Sequence, residues 1–457
     1  MSIKGKRNYR PKIHFTPLTM WANDPNGMVY VDGTYHLFYQ HYPEAPIWGP
    51  MHWGHAISKD LLSWEHLPIA LYPDELGLAF SGSCVYDVHN TSGFGSEGKA
   101  PLVAIYTSHD RITQIEHQSI AYSTDFVHFE KCYRNPVVHN PGLKDFRDPK
   151  AFWNNTLDCW SLVLAANDRV NFYCSKDLKK WDKTGEFLIG NNGIYGICEC
   201  PDCFQVETED GVKWILIISM IIQSESAKNR HRTQYFIGDF DGNTFIETQK
   251  ADGPMWLNYG PDHYAGVTFQ NLDKPIMIGW ASNWAYSDKV PTEGYRGQMA
   301  MPCEVSMKKT SLGYRAVFHP VGLDQLKKAS VPITNQTNLL SQSFGMDITG
   351  LGHGIITLSN SSGEKLIIEV TEDEIIVDRT NVDKQKISEL YDLSEFSVIR
   401  VNRYQKDNYM LELYFDVSIL EVFAEDGLIP ITMSVYPESP FNIMTLKGDI
   451  SATIFML

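Results

Sequence analysis

The sequence predicts an all-β protein in which a β-propeller is followed by a β-sandwich. Two observations support this prediction. The first is a faint repeat of short strand-like runs and turns within residues 54–245, and the second is a series of alternating apolar and polar runs after residue 338. A repeat of this kind, with copies 52 to 65 residues apart, is typical of radially repeated β architectures. Short runs with a period of two are typical of sandwich strands.

The repeat is a turn signal in which a serine is followed by an aspartate and then by an aromatic residue. Copies begin at Ser58, Ser123 and Ser175, and a looser copy begins at Gly238. Each copy follows a strand-like run. We interpret the aspartate and the aromatic side chain as a turn and its staple within one blade, not as chemistry. The propeller is predicted over residues 1–320.

The C-terminal part of the chain has a different texture. Residues 321–337 are predicted to form a linker, with one short helix at 322–328, and residues 338–457 are predicted to form the sandwich. The predicted sandwich contains no cysteine and no tryptophan. We therefore assign it a structural or assembly role. Its predicted strands include residues 355–358, 366–370, 375–377, 410–415 and 420–423.

Composition indicates a soluble globular protein of two domains. The 457 residues are 43% hydrophobic and 21% charged, and the formal net charge is −16. A charge of this sign disfavours nucleic acids and anionic membranes as partners. The longest apolar run, 214–222, is too short to cross a bilayer. No apolar run follows the basic N terminus, so we expect no secretory signal and a cytoplasmic location. A homo-oligomer is compatible with the sequence.

Eight cysteines are present, and without an export signal we expect them to be reduced thiols. Cys198, Cys200 and Cys203 form a cluster, but no second ligand pair at matching spacing accompanies it. We therefore predict no metal and no cofactor.

Three acidic residues lie in short polar motifs with proline one or two residues later. Asp24 lies in Trp-Ala-Asn-Asp-Pro-Asn-Gly (21–27), Asp148 in Phe-Arg-Asp-Pro (146–149) and Glu199 in Glu-Cys-Pro-Asp (199–202). Because proline disfavours the helical conformation in the preceding residue, we expect both Asp-Pro aspartates to be extended at a strand end or turn. Carboxylates on rigid backbone suit acid-assisted bond cleavage. The first motif alone is equally well a tight turn.

The three motifs in this order resemble those of glycoside hydrolase family 32, the invertase and fructan-hydrolase family. The resemblance covers essentially the whole chain and weakens after about residue 330. It implies a five-bladed propeller and hydrolysis of fructosides. Further segments that carry it are Phe-Tyr-Gln (38–40), Trp-Gly-His-Ala (53–56), Phe-Ser-Gly-Ser (80–83) and Gly-Trp-Ala-Ser-Asn-Trp (279–284).

The resemblance implies a role for each acid. Asp24 is expected to be the nucleophile, Glu199 the acid/base, and Asp148 the transition-state stabiliser that grips ring hydroxyls. Like charges in one pocket raise at least one pKa, and glutamate has the higher intrinsic value, so Glu199 is expected to hold the proton. Arg147 is expected to keep Asp148 ionised. Cys200 lacks a histidine partner in sequence and is not expected to be a nucleophile.

Substrate contacts are expected from amides, a hydroxyl, a guanidinium and flat aromatic faces. Trp48, in a loop between Pro46 and Gly49, is expected to be exposed, and the choice between Trp280 and Trp284 as a pocket residue stays open. Asp262 and Tyr264 are expected near the pocket with less certain roles. The predicted substrate-binding residues are Trp21, Asn23, Gln40, Trp48, Phe80, Ser81, Arg147 and Trp284.

The leading hypothesis is a retaining, exo-acting β-fructofuranosidase acting on sucrose, fructo-oligosaccharides or fructans. A sucrose-6-phosphate hydrolase, which needs cationic side chains around the leaving group or the 6-position, ranks second, because the stretch from 280–284 through 291–297 looks more like that of fructan hydrolases and invertases. A fructosyltransferase uses the same acids with a sugar as acceptor. A non-catalytic carbohydrate-binding propeller is a hypothesis of another class. It predicts the loss of at least one acid, whereas all three are present.

Overall fold

The chain forms a five-bladed β-propeller followed by a β-sandwich, as the sequence predicts. The structure is a computed structural model that describes residues 7–189, 196–222, 230–382, 387–392 and 394–457. The first strands of the five blades contact one another in a closed ring. None of the helices among these residues is both long and apolar enough to cross a membrane.

Each blade is an antiparallel sheet of four strands in sequence order. The strands of the first three blades are β1 (Met20–Val31), β2 (Thr34–Tyr42), β3 (His52–Ser58) and β4 (Glu65–Leu71); β5 (Leu78–Tyr86), β6 (Leu102–His109), β7 (Glu116–Ser123) and β8 (Glu130–Lys131); and β9 (Phe146–Asn154), β10 (Cys159–Ala166), β11 (Arg169–Ser175) and β12 (Asp182–Leu188).

Blades 4 and 5 each add a short strand to this plan. In blade 4, β17 pairs with the third strand, and in blade 5, β20 reaches back to pair in parallel with β1 and joins the last blade to the first. Their strands are β13 (Gly196–Thr208), β14 (Gly211–Ile222), β15 (Arg230–Phe240), β16 (Phe245–Gln249) and β17 (Met255–Trp256); and β18 (Tyr264–Thr268), β19 (Ile276–Trp280), β20 (Tyr295–Arg296), β21 (Cys303–Thr310) and β22 (Gly313–Pro320).

The sequence repeat corresponds to the turn between the third and fourth strands of blades 1 to 4. In the first copy, Asp60 accepts hydrogen bonds from the backbone N–H groups of Leu62 and Ser63, and the Trp64 indole donates to the Leu61 carbonyl. The residue after the aspartate has positive φ in all four copies, and only the fourth copy has glycine there. The interpretation as a turn and staple is confirmed. The residues after the aspartate are Leu61, Phe126, Leu178 and Gly242.

The C-terminal region is one continuous sheet that folds into a sandwich around its own apolar core. The predicted linker contains a short helix, one edge strand and the start of a second, and both strands pair with β32. The elements are α1 (Asp324–Lys327), β23 (Val331–Pro332), β24 (Gln336–Asn338), β25 (Ser343–Ser359), β26 (Lys365–Val370), β27 (Glu374–Asn381), α2 (Ser394–Ser397), β28 (Val398–Asn402), β29 (Asn408–Asp416), β30 (Ile419–Ala424), β31 (Ile429–Ser434) and β32 (Ile443–Met456).

Strand β25 belongs to both layers of the sandwich. Its first half pairs with β29 and its second half with β26, while β32 pairs with both halves. The register shifts between Leu351 and Gly354, and Gly352 has φ +63° there. Glycine permits this conformation without a Cβ clash, so the strand turns from one layer into the other at this point.

The propeller and the sandwich are joined by an apolar core and by two buried charged networks. Tyr414 and Phe455 of the sandwich pack with residues of blades 4 and 5. His14 lies between Asp416 and Glu421, 2.9 Å from each, and these side chains are almost wholly buried. A second buried pair, described below, lies at the same interface. The interface therefore has the character of a protein interior.

Candidate active site

One polar side chain from the first strand of each blade lies in the candidate site. The ring of first strands brings these five positions to the same end of the propeller axis, since each lies near the beginning of its strand. The five residues are Asp24 on β1, Ser81 on β5, Asp148 on β9, Glu199 on β13 and Tyr264 on β18.

A β-bulge lies at the functional position of every one of these strands. The pairing register shifts between residues 22 and 25, 79 and 82, 147 and 150, 199 and 202, and 264 and 267. A bulge interrupts the alternation of side chains and redirects one of them. Pro149 and Pro201 lie within the shifted segments, where the missing N–H breaks no ladder hydrogen bond. The prolines near the acids therefore mark bulges within strands.

The expected extended conformation of Asp148 is wrong. Its φ is +63°, which is uncommon for a residue other than glycine. The preference imposed by Pro149 is overridden because Asp148 N–H donates to Thr107 Oγ1 at 2.9 Å and its Oδ2 accepts from Cys200 N–H at 2.9 Å. Strained backbone of this kind is concentrated at functional sites.

The Cys200 thiol connects two of the acids. Its Sγ lies 3.6 Å from Asp24 Oδ2 and 3.5 Å from Asp148 Oδ2. Burial, followed by the charges of these acids, raises the pKa of Cys200 well above its ordinary value, so the thiol stays protonated and serves as a weak hydrogen-bond donor. This agrees with the expectation that Cys200 is not a nucleophile. Among the described residues, no group of three or more histidine, cysteine or acidic side chains is arranged to bind a metal.

Asp24 is held from both sides by neutral donors. Ser81 Oγ donates to Oδ2 at 2.6 Å, and Asn23 Nδ2 donates to Oδ1 at 3.0 Å. Asn23 in turn accepts from the Trp21 indole at 2.7 Å. Asn23 and Ser81, predicted as sugar ligands, thus orient the carboxylate. Trp21, also predicted as a sugar ligand, is buried and supports Asn23.

Arg147 contacts Glu199 and not Asp148, which corrects the expected partner of this guanidinium. Its Nε donates to Glu199 Oε1 at 3.3 Å, while its NH1 donates to Glu116 and to Asp145. On the other side of Glu199, the Tyr264 hydroxyl donates to Oε2 at 2.6 Å. The role expected for Tyr264 near the pocket is therefore a direct contact with the predicted acid.

The three acids share an environment that favours protonation. Burial is the largest cause in each case, and it raises the pKa of Asp24, Asp148 and Glu199. For Asp148 the charges of Glu199 and Asp24 add to burial, and the charge of Arg147 does not outweigh them. For Glu199, Arg147 and Tyr264 partly oppose the increase. The cluster therefore retains a proton near neutral pH, shared among coupled groups and not held by Glu199 alone.

Aromatic rings lie beside the strand that carries Ser81. Trp48 has 48% of its surface exposed, and its ring lies 6.2 Å from that of Phe80, edge to face. Phe80 stacks on His109 at 4.4 Å with nearly parallel rings. The predicted exposure of Trp48 is confirmed, and together with Phe80 it provides an apolar surface beside Ser81. Gln40 is buried and donates to the carbonyl of Ala79. This bond stabilises β5, the strand that carries Phe80 and Ser81.

Of the two late tryptophans, Trp284 is the one near the surface. Trp280 is fully buried, whereas Trp284 is partly exposed and stacks on Trp21 at 6.0 Å. The choice left open by the sequence therefore favours Trp284 as a pocket residue.

Asp262 does not belong to the pocket. It is fully buried at the domain interface, where it pairs with Arg379 at 2.9 Å and accepts from Tyr286. Sequence analysis also missed two residues on neighbouring elements, Glu116 beside Arg147 and Thr107 beside Asp148. Neither lies in one of the recognised motifs, and their only signal is proximity in the fold.

The arrangement suits cleavage of a bond between a sugar and an oxygen. Asp24 is held by neutral donors, whereas Glu199 is held between a guanidinium and a phenol. A nucleophile and an acid require different environments of this kind. The third, Asp148, is joined to Asp24 through the Cys200 thiol.

Sequence comparisons agree with this geometry. The model for the glycosyl hydrolases family 32 N-terminal domain matches residues 14–318, and that for the family 32 C terminal matches residues 310–454. A levanase of Bacillus subtilis (strain 168) is 39% identical over 94% of this chain and 67% of its own length. An extracellular exo-inulinase of Aspergillus awamori is 32% identical over 94% of this chain and 90% of its own.

The structural comparison covers the two domains together. The crystal structure of exo-inulinase from Aspergillus awamori superposes with a TM-score of 0.90 and 30% sequence identity, covering 99% of this chain and 98% of that one. The chain belongs to glycoside hydrolase family 32 and is a glycoside hydrolase of the β-fructosidase type.

Proposed function

We propose that the protein is a retaining, exo-acting β-fructofuranosidase that releases terminal fructose from sucrose and β-fructans. The observation that carries the proposal is the clustering of Asp24, Asp148 and Glu199 at one end of the propeller, where the Cys200 thiol joins the two aspartates and Tyr264 donates to Glu199. Because two relatives are named a levanase and an exo-inulinase, levan and inulin are the first polymers to test.

In the proposed mechanism Asp24 attacks the anomeric carbon while Glu199 protonates the leaving oxygen. The hydrogen bonds from Ser81 and Asn23 aim the Asp24 carboxylate, and Tyr264 and Arg147 fix the plane of Glu199. The covalent fructosyl intermediate is then hydrolysed by water, with Glu199 acting as the base. Asp148 holds ring hydroxyls as positive charge develops on the sugar.

A neutral leaving group is favoured over a phosphorylated one. Within the described part of the chain, the guanidinium in contact with the acids is that of Arg147, and Glu116, Asp145 and Glu199 already surround it. A bound phosphate would have to compete with these carboxylates. Sucrose 6-phosphate is therefore ranked below sucrose, and fructosyl transfer differs only in the acceptor.

The stereochemical course tests the mechanism. NMR spectra recorded in the first seconds of hydrolysis should show β-fructofuranose before mutarotation. Initial release of the α-anomer would indicate inversion, which requires a wider separation of the two carboxyl groups, roughly 6.5–9.5 Å against 5–5.5 Å.

Substrate range is tested by measuring free fructose from sucrose, sucrose 6-phosphate, inulin and levan at equal concentrations of fructosyl residues. We expect fructose as the first product from both polymers, with sucrose 6-phosphate the poorest disaccharide. Early release of oligosaccharides from inulin or levan would contradict exo-action. Growth of kestose-like products at high sucrose concentration would favour the transferase.

A further inference from the structure

Behind Arg147 lies a pair of carboxylates that the proposed reaction does not use. Arg147 NH1 is 3.0 Å from Glu116 Oε1, 3.1 Å from Glu116 Oε2 and 2.9 Å from Asp145 Oδ1. The guanidinium therefore has carboxylates on both sides, with Glu199 on the substrate side at 3.3 Å. Because the guanidinium is planar and rigid, fixing NH1 also fixes the edge that faces Glu199.

Glu116 is anchored on three sides. It begins β7 and pairs with His109 at the end of β6, and its Oε1 lies 3.2 Å from His109 Nδ1. Its Oε2 accepts from Phe146 N–H at 2.8 Å, so it also holds the backbone immediately before Arg147. Burial opposes ionisation of Glu116, but His109 and Arg147 outweigh burial and lower its pKa, so the carboxylate stays charged.

The same contacts lead outward to the aromatic surface. His109 stacks on Phe80, which lies beside the exposed ring of Trp48. A continuous line of contacts thus joins this surface to the predicted acid, through His109, Glu116 and Arg147. The residues on this line between Phe80 and Glu199 are His109, Glu116 and Arg147, and they lie on strands β6, β7 and β9.

We propose that Glu116, together with Asp145, positions Arg147 and thereby sets the orientation and the proton affinity of Glu199. Neither carboxylate is a catalytic residue, since each acts through the guanidinium. The inference rests on the proposed function, in which Glu199 donates the proton.

The sign of the expected effect follows from the charges in contact. Arg147 faces Glu116, Asp145 and Glu199, and Asp148 is close enough to feel its charge; Glu199 also faces Tyr264, Asp24 and Cys200. Removing the charge of Glu116 leaves Arg147 with one fewer negative partner, so its positive charge acts more strongly on Glu199. The ionised form of Glu199 becomes easier to reach, and its proton is lost at lower pH.

The test is the pH profile of kcat/KM on sucrose for Glu116→Gln. We expect the alkaline limb to move to lower pH by roughly one unit and kcat to fall about 10- to 100-fold, with KM changed by less than about threefold. Glu116→Asp should recover part of the activity. Glu130→Gln is the matched control, because Glu130 is an exposed carboxylate of the same blade that accepts from Tyr122. It should leave the profile unchanged.

A leaving-group comparison separates positioning from a general structural defect. An aryl β-fructofuranoside with a good leaving group needs little help from the acid, so Glu116→Gln should lose less activity on it than on sucrose. Equal losses on both substrates, with an unmoved alkaline limb, would overturn the inference. If Glu116→Gln does not fold, Asp145→Asn decides: a downward shift of the limb supports the inference, and an unmoved limb refutes it.

Failure of this inference is distinguishable from failure of the proposed function. Glu199→Ala should lose activity on sucrose, whereas on the aryl β-fructofuranoside added azide should raise its turnover, because azide attacks the fructosyl-enzyme without needing a general base. If Glu199→Ala keeps near-normal activity, the acid assignment fails and the inference fails with it. If Glu199→Ala behaves as an acid-deficient enzyme while Glu116→Gln has a wild-type profile, only the positioning role is lost.

Discussion

Carboxylates are buried in two regions of this protein, and their proton affinities shift in opposite directions. At the domain interface, the partners of Asp416 and Glu421 outweigh burial and lower the pKa of each. In the active site, burial outweighs the partners and raises the pKa of Asp24, Asp148 and Glu199. The interface acids are the more deeply buried, since Asp24 and Glu199 are partly exposed, so the partners and not the depth of burial make the difference.

The interface acid is saturated with donors. Asp416 accepts from the backbone N–H groups of residues 12, 13 and 14, from the His14 ring and from Ser343. Asp148 accepts from one backbone N–H and faces a thiol and two other acids. An acid whose oxygens accept a full set of hydrogen bonds stabilises the fold. An acid with fewer donors remains available to hold a substrate or a proton, at a cost in stability.

The largest expected effect comes from replacing one aspartate by alanine in each of the two regions. Asp24→Ala should lower kcat by on the order of 10⁵-fold, as removal of a nucleophile does, without lowering the melting temperature. Asp416→Ala should instead destabilise the protein by about 3–5 kcal/mol, because it leaves the His14 network unpaired. Turnover and thermal unfolding measured on both variants check this. A clear loss of stability in Asp24→Ala would contradict the comparison.

The next effect concerns the buried pair between Asp262 and Arg379. Arg379→Met should reduce the free energy of unfolding by about 3–5 kcal/mol, because Asp262 is left charged and buried. The double variant Arg379→Met/Asp262→Asn should recover at least half of this loss. Urea titrations of both variants provide the measurement. Arg400→Met is the control, because it breaks a solvent-accessible ion pair between Arg400 on β28 and Glu374 on β27. It should change the free energy of unfolding by less than about 1 kcal/mol.

Local patterns in the sequence were sufficient to predict a propeller followed by a sandwich, but not to count the blades. The spaced Ser-x-Asp turns mark the third hairpin of three blades, and a looser copy marks that of the fourth. The Asp-Pro and Glu-Cys-Pro segments mark bulges on innermost strands. The fifth blade has no such copy, since its last turn is built around Gly313 and Thr310. The number of blades therefore came from the family resemblance and not from counting repeats.

Long-range partners were beyond sequence analysis. Asp262 and Arg379 are 117 positions apart, and Arg147 is 31 positions from Glu116. The adjacency of Arg147 and Asp148 suggested that they interact, but neighbouring residues in a strand face opposite sides and the bulge turns them further apart. The proline rule failed at Asp148 for a related reason, because contacts with Thr107 and Cys200 decide its conformation.

A pH effect on stability comes from His14. Hydrogen bonds and charges from Asp416 and Glu421 outweigh burial and raise its pKa to about 9 from an ordinary value of 6.5. Its contribution is therefore complete below pH 6.5 and is lost as the pH rises through 9, and it amounts to on the order of 3 kcal/mol. Unfolding free energies measured from pH 6 to 10 should fall across this window. The fall should be absent in His14→Gln and present in His353→Gln, whose histidine forms an exposed pair with Glu369. The same slope in both variants would contradict the assignment.

The smallest effect tests whether Asp148 helps to keep the proton of the acid cluster. Asp148→Asn removes one negative charge beside Glu199, so Glu199 should ionise more easily and the alkaline limb of kcat/KM should move to lower pH by roughly one unit, or about 1.4 kcal/mol. Because the pKa of Asp148 is raised in the folded protein, its stability contribution is present below the ordinary aspartate value and lost as the pH rises. The variant should therefore unfold at a higher temperature than the wild type at pH 7. The pH profile of its residual activity and a thermal melt are both required. An alkaline limb that stays in place or moves upward, or a lower melting temperature, would show that Asp148 resembles the satisfied interface acids more than its two neighbours.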